Sequence, residues 1–180
     1  MHHQSEDYNL SVALRQGAFQ KVFTFWVYLP LAIIGVSPEW FITIKAINLL
    51  YQFWIHTVYV ERMGWLEKVL NTPSHHRVHH GSNAKYIDKN HAGVFIIWDK
   101  MFGTFQVEEE RPTYGITTPT ATFNPIYAHT QPFQRLWAEL KLMPSFGDKI
   151  RLLFKSPGWY PASLGERPEA PIQREKFQRE

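Results

Sequence analysis

Residues 40–60 read WFITIKAINLLYQFWIHTVYV, twenty-one positions with one formal charge, Lys45. A helix crossing a bilayer core takes roughly 20 apolar residues, and Lys45 is near enough to the start to reach back to the headgroups. Upstream, residues 22–36 (VFTFWVYLPLAIIGV) carry no charge. Ala18 and Phe19 lengthen that run, Lys21 can snorkel, and Pro30 predicts a kink that membrane helices tolerate. Between the runs, Gly35-Val36-Ser37-Pro38-Glu39 breaks the pattern, with Ser37 as N-cap and Pro38 opening the second helix. The expected element is a membrane hairpin over about residues 18–60. Two buried helices of a soluble protein are the competing reading.

Downstream, Asn71-Thr72-Pro73-Ser74-His75-His76-Arg77-Val78-His79-His80-Gly81 holds four of the chain's nine histidines in six consecutive positions. Thr72 is a good N-cap, Pro73 suits the first helical position, and Gly81 suits the end of a helix. On that helix His76 and His80 are one turn apart, as are His75 and His79, and His76 and His79 share a face. Imidazoles stacked in this way can aim several neutral nitrogens at one transition-metal ion. A solvated polar turn is the alternative. A hairpin returns the chain to the side it left, so His2 and His3 are expected on the same membrane face as His75–His80. His56 is expected about one turn inside the exit of the second span, where an ionisable side chain is functional by default.

Composition narrows the chemistry. The chain has 180 residues, enough for one domain with a real core. It has no cysteine, which excludes disulfides, thiolate zinc sites and iron–sulfur clusters and leaves nitrogen and oxygen ligands. The net charge of +3 comes without a long basic run, so nucleic acid is not an expected partner. Seven Trp and thirteen Phe suit a membrane interface. No basic start is followed by an apolar run, so no signal peptide is expected. Met1-His2-His3 reads as an internal methionine or a fragment boundary, and Leu10–Gln20 as a moderate helix leading toward the membrane.

His2-His3 looks like the end of an H-x-x-H-H motif, and His76-Arg77-Val78-His79-His80 is a complete one. A membrane-helix histidine lies between them, and Asn90-His91-Ala92-Gly93 runs into Trp98-Asp99-Lys100-Met101-Phe102-Gly103-Thr104 beyond. This order resembles the fatty acid hydroxylase/sterol desaturase superfamily, over roughly residues 1–160. Ser5–Leu10, Asn48–Thr57, Leu70–Gly81 and Phe154–Trp159 resemble its alkylglycerol monooxygenase branch in particular. The family places an H-x(3,4)-H motif and the first histidine of the first H-x-x-H-H ahead of the stretch that begins at Met1. Some relatives carry a further histidine where Val60 stands, and tyrosine is common at the position of His91. His129 reads as a surface histidine.

The resemblance implies an all-α fold: a membrane hairpin with a cytoplasm-facing helical cap carrying a di-metal site. Its candidate ligands are His2, His3, His56, His75, His76, His79 and His80, with His91 and Asp99 as supporting residues around them. It implies two iron ions, dioxygen and an electron donor, with tetrahydrobiopterin as the reductant in the alkylglycerol branch. The implied reaction inserts oxygen into a C–H bond of a lipid, first a glyceryl ether and otherwise a fatty acyl chain or sterol. Integral multi-pass placement follows, in a bacterial inner membrane or the endoplasmic reticulum. A zinc-binding or metal-free membrane remnant, inactive alone, is the alternative, since histidine sites accept zinc readily. Residues 92–105 suit an interfacial or a core helix, and Glu108–Pro112 a solvated turn. Phe133–Met143 and Lys149–Phe154 suit short amphipathic helices. Residues 1–160 are expected as one domain, with 161–180 an exposed tail.

Overall fold

The computed structural model describes residues 2–17, 20–116, 124–155 and 159–165. Most of the expected tail, residues 166–180, therefore lies outside the described residues. The described secondary structure is helical: α1 (Leu10–Ala13), α2 (Gln20–Ile33), α3 (Pro38–Trp54), α4 (Pro73–His79), α5 (Ile97–Phe102), α6 (Pro125–Leu142) and α7 (Phe146–Phe154), with short 3-10 turns between. Among the described residues no strand forms, and pairing is limited to the isolated bridges Leu70–Phe95 and Gly81–Tyr114. The chain divides into two compact units, residues 1–117 and 118–180.

In the first unit, α2 and α3 form the expected hairpin. Gly35, at φ +84°, closes α2 in a left-handed cap, with its N–H on the Ala32 carbonyl and that of Val36 on Leu31. Ser37 and Pro38 then open α3 as their chemistry dictates. The Lys45 ammonium lies over the rings of Tyr28 and Phe41, tying the two helices together. No helix among the described residues is long and apolar enough to cross a membrane.

The second expected span is corrected in its length. α3 stops at Trp54 instead of running to Val60, and His56 lies beyond the helix instead of one turn inside it. The cause is competition for backbone groups. The His56 ring takes the Gln52 carbonyl at 2.6 Å, Tyr8 donates to the Ile55 carbonyl, and Arg77 takes the carbonyls of Thr57 and Val60. An apolar run does not encode those tertiary partners.

The centre of the first unit is polar. Ile55, Val78, Tyr86 and Ile96 are fully buried, but so are Asn71, Thr72, Ser74 and Asn90. The backbone N–H of Asn71 donates to Val94 and that of Ile96 to Val69, so residues 69–71, just ahead of α4 in the chain, run side by side with 94–96. Asn90, in the left-handed region at φ +52°, donates to the carbonyls of His75 and Gln106 and accepts from the Gln106 N–H. Tyr86 packs against Gly81, where an added Cβ would meet its ring at 2.8 Å. Gly81 is thus required for close approach, while His80, in right-handed conformation, caps α4.

In the second unit, Asn124 caps α6 by accepting from the N–H groups of Ile126 and Tyr127. Ser145 caps α7 by accepting from that of Asp148. α7 contains the expected Lys149–Phe154 segment, while α6 begins eight residues ahead of the expected Phe133–Met143 helix and ends at Leu142.

Candidate metal centre

Three segments distant in sequence supply the site. The 3-10 turn His2–Gln4 brings His2 and His3, the turn just past the end of α3 brings His56, and α4 with its C-cap brings His76, His79 and His80. One ring nitrogen from each of His2, His56, His76 and His80 lies within 4.8 Å of the other three. The tightest approaches are His56 Nε2 to His2 Nε2 at 3.1 Å and to His76 Nε2 at 3.0 Å.

The tautomer of His56 explains why this arrangement could hold a metal ion. Its Nδ1–H donates to the Gln52 carbonyl, so its Nε2 presents a lone pair. Two further Nε2 atoms are aimed at that same lone pair. Neutral imidazoles crowded in this way need a proton or a cation between them. His80 Nε2 and His76 Nδ1 are buried with no hydrogen-bond partner, and an orphaned buried nitrogen is costly. The all-nitrogen donor set and the orphaned His80 Nε2 fit a borderline transition-metal ion, whereas the orphaned His76 Nδ1 belongs to a ring that presents its Nε2 to the cluster.

Burial keeps the rings neutral and available. It pushes His56 down to about 4 and His3 down to about 3, with the neighbouring histidines adding to the effect on each. His2, His79, His76 and His80 move in the same direction for the same first cause, the last two well below the ordinary imidazole range. A neutral imidazole is the form that binds metal.

His3 and His79 lie at the edge of this cluster. His3 stacks on His80 with ring centroids 4.2 Å apart and meets His79 edge-on at 4.8 Å. The Nδ1 of His79 donates to the Lys89 carbonyl, leaving its Nε2 free to act as a ligand. Beside these rings opens a cavity of about 320 Å³, also lined by Tyr86, Asp88 and His91.

Two expected residues stand elsewhere. His75 points away from the cluster: its Nδ1 faces the Thr72 N–H at 3.5 Å, and its ring meets the edge of Phe105. It closes the first turn of α4. Asp99 accepts from the backbone N–H groups of His91 and Ala92 and from the Thr104 hydroxyl. It shapes the loop that carries His91, whose ring comes within 5.8 Å of that of His79.

Sequence reasoning missed the residues that fix the segments to one another. Arg77 is buried, binds both oxygens of Glu108 at 2.8 and 2.7 Å, and donates to the carbonyls of Thr57, Val60 and Glu61. It therefore locks the stretch after His56 onto the helix that carries His76. Tyr8 donates to the Ile55 carbonyl and packs its ring against His56, His80 and Tyr114. Burial raises the phenol of Tyr8, and it raises that of Tyr114 to about 12, so both remain neutral. Arg77 had one signal, its place inside H-x-x-H-H. Tyr8 stood only within the Ser5–Leu10 stretch that carried the resemblance.

The family model described as fatty acid hydroxylase matches residues 1–104, which contain every histidine of this cluster. The chain belongs to the fatty acid hydroxylase family. Within it, the chain is 50% identical over 173 residues to alkylglycerol monooxygenase of Homo sapiens, 94% of this chain and 38% of that protein. The corresponding enzyme of Xenopus tropicalis is 49% identical over 172 residues, and that of Danio rerio 47% over 174. This fatty acid hydroxylase family member thus spans about two-fifths of the length of the relatives it matches. No solved structure matches it.

Proposed function

We propose that the chain forms part of a membrane-bound, histidine-ligated oxygenase that inserts oxygen into a C–H bond of a lipid. The observation that carries this is the convergence of ring nitrogens from His2, His56, His76 and His80. Those four would hold one metal ion. His3 and His79 would contribute to a second, together with the H-x(3,4)-H motif that the family carries ahead of this stretch. We propose iron for both. Bound iron would supply the activation of dioxygen that no side chain can perform.

The chain's own residues set the conditions. Gln52 holds the Nδ1 proton of His56, and Lys89 that of His79, so both Nε2 lone pairs are fixed in direction. Tyr8 covers the rings of His56 and His80 on one side and excludes water from them. The membrane reading rests on α2 and α3, whose apolar side chains face outward: Val27 is 73% and Leu50 70% exposed, and α3 buries none of its residues. A hairpin so exposed needs an apolar surrounding. Its helices of fourteen and seventeen residues are shorter than the hydrocarbon core is thick and suit a partial insertion in which the site sits at the membrane surface.

The relatives named above are alkylglycerol monooxygenases, so a glyceryl ether is the proposed substrate. The oxygen would enter at the ether-linked carbon, giving a hemiacetal that separates into an aldehyde and glycerol. The second oxygen atom leaves as water, with two electrons supplied by tetrahydrobiopterin. The test supplies a glyceryl ether, dioxygen and tetrahydrobiopterin to membranes containing the protein at its relatives' full length. Aldehyde formation that depends on all three is expected. Oxidation of fatty acids or sterols alone would move the chain to another branch, and no lipid oxidation by iron-loaded, folded protein would overturn the proposal.

A further inference from the structure

The family model accounts for residues 1–104, and α7 lies wholly beyond it, in the second unit. At 3.6 residues per turn, Phe146, Ile150 and Leu153 fall on one stripe of α7, with Phe154 at its edge. All four are exposed, Phe146 by 77% and Phe154 by 83%. The opposite side, with Asp148 and Leu152, is the partly covered one. The helix therefore shows more apolar surface outward than it packs inward. Lys149 and Arg151 flank the stripe on its two sides, both exposed. Arg151 keeps one contact to Asp148 at 3.0 Å, with its side chain still 61% exposed.

We propose that α7 lies in the surface of an anionic bilayer, its stripe in the acyl boundary and Lys149 and Arg151 on lipid phosphates. Nine residues are about 13 Å of helix, too short to span and suited to lie flat. The flanking cations decide between occupants. A protein groove would have to supply matched carboxylates on both sides, whereas an anionic bilayer has phosphates at that depth everywhere. α6 in the same unit carries a related feature: Trp137 is 63% exposed, with the Lys141 ammonium 5.6 Å from its ring centre. An amphipathic ring paired with a cation suits the headgroup layer.

The proposal rests on the membrane attachment argued above and not on the oxidation chemistry. The chain has no cysteine, so single cysteines placed by Ile150→Cys, Lys155→Cys or Ile47→Cys can each carry one environment-sensitive fluorophore. The protein is reconstituted in phosphatidylcholine vesicles, with or without phosphatidylglycerol, containing an acyl-chain nitroxide lipid. In anionic vesicles the label at position 150 is expected to be quenched at least two-fold more than that at 155. Lys149→Glu with Arg151→Glu should remove most of that difference. The label at 47, on α3, reports the hairpin separately. Emission from 150 that is blue-shifted but unquenched would mean that protein covers the stripe, and water-like emission that nothing covers it. Either result overturns the proposal, and equal quenching in neutral and anionic vesicles overturns the role of the phosphates.

Discussion

At the scale of single residues, Arg77 and His56 carry the sharpest consequences. Arg77 satisfies Glu108 and three backbone carbonyls from a buried position. Arg77→Met strands the Glu108 carboxylate and frees residues 57–61, so a loss of about 3 kcal/mol is expected, with a roughly 10- to 100-fold fall in metal affinity. Adding Glu108→Gln should recover part of the stability but not the affinity, because the carbonyl contacts stay lost. Thermal melts and metal titrations of the two variants separate these effects. The histidines also set a pH dependence. Their folded pKa values lie below the unfolded value of about 6.5, so below that pH the unfolded chain binds more protons than the native one. Stability is present in full above about pH 6.5 and falls as the pH drops toward about 4, the value for His56. The buried His56 alone should cost about 1 kcal/mol by pH 5.5, with other cluster histidines adding to it. Melts of metal-free protein from pH 8 to pH 5 should show a steady decline, and a flat profile would mean that the rings are solvated.

At the scale of elements, two glycines distinguish packing that can give way from packing that cannot. A Cβ at Gly81 meets the Tyr86 ring at 2.8 Å and the Val78 carbonyl at 3.2 Å, whereas one at Gly93 meets only the far end of Gln52 and the Asn48 amide oxygen. Gly81→Ala should cost about 1–3 kcal/mol and Gly93→Ala clearly less, as denaturant titration would show. The starts of α3 and α4 and the turn after α2 were legible in the chain, whereas α1 and α5 are shorter than the expected Leu10–Gln20 and 92–105 helices. The Ser37-Pro38 and Thr72-Pro73 starts and the turn at Gly35 are local chemistry, and local chemistry is what a sequence exposes. The end of α3 was not legible, because Ile55, Thr57 and Val60 surrender their carbonyls to Tyr8 and Arg77 from elsewhere in the chain. The site shows the same division. Helical spacing brings His76 and His80 together, as the structure does, but does not distinguish His75 from them. Only the contacts of Thr72 and Phe105 show that its ring turns to the other side.

At the scale of the whole molecule, the hairpin returns the chain so that three histidine-bearing segments close on one point. Cysteines introduced at Ser5 and Asn83 should then react with an impermeant reagent from the same side of a sealed vesicle, and one at Ser37 should not. Reaction of the first two from opposite sides is incompatible with the fold of residues 1–117. The most direct measurement is a cobalt(II) titration of the protein in mild detergent, read by its visible ligand-field bands and compared across single variants. His76→Ala removes a nitrogen that lies 3.0 Å from that of His56, and the bands of the site formed by His2, His56, His76 and His80 should disappear. His75→Gln, on the same helix but outside the cluster, should leave their position and intensity unchanged. Loss of the bands in His75→Gln with retention in His76→Ala would contradict the account.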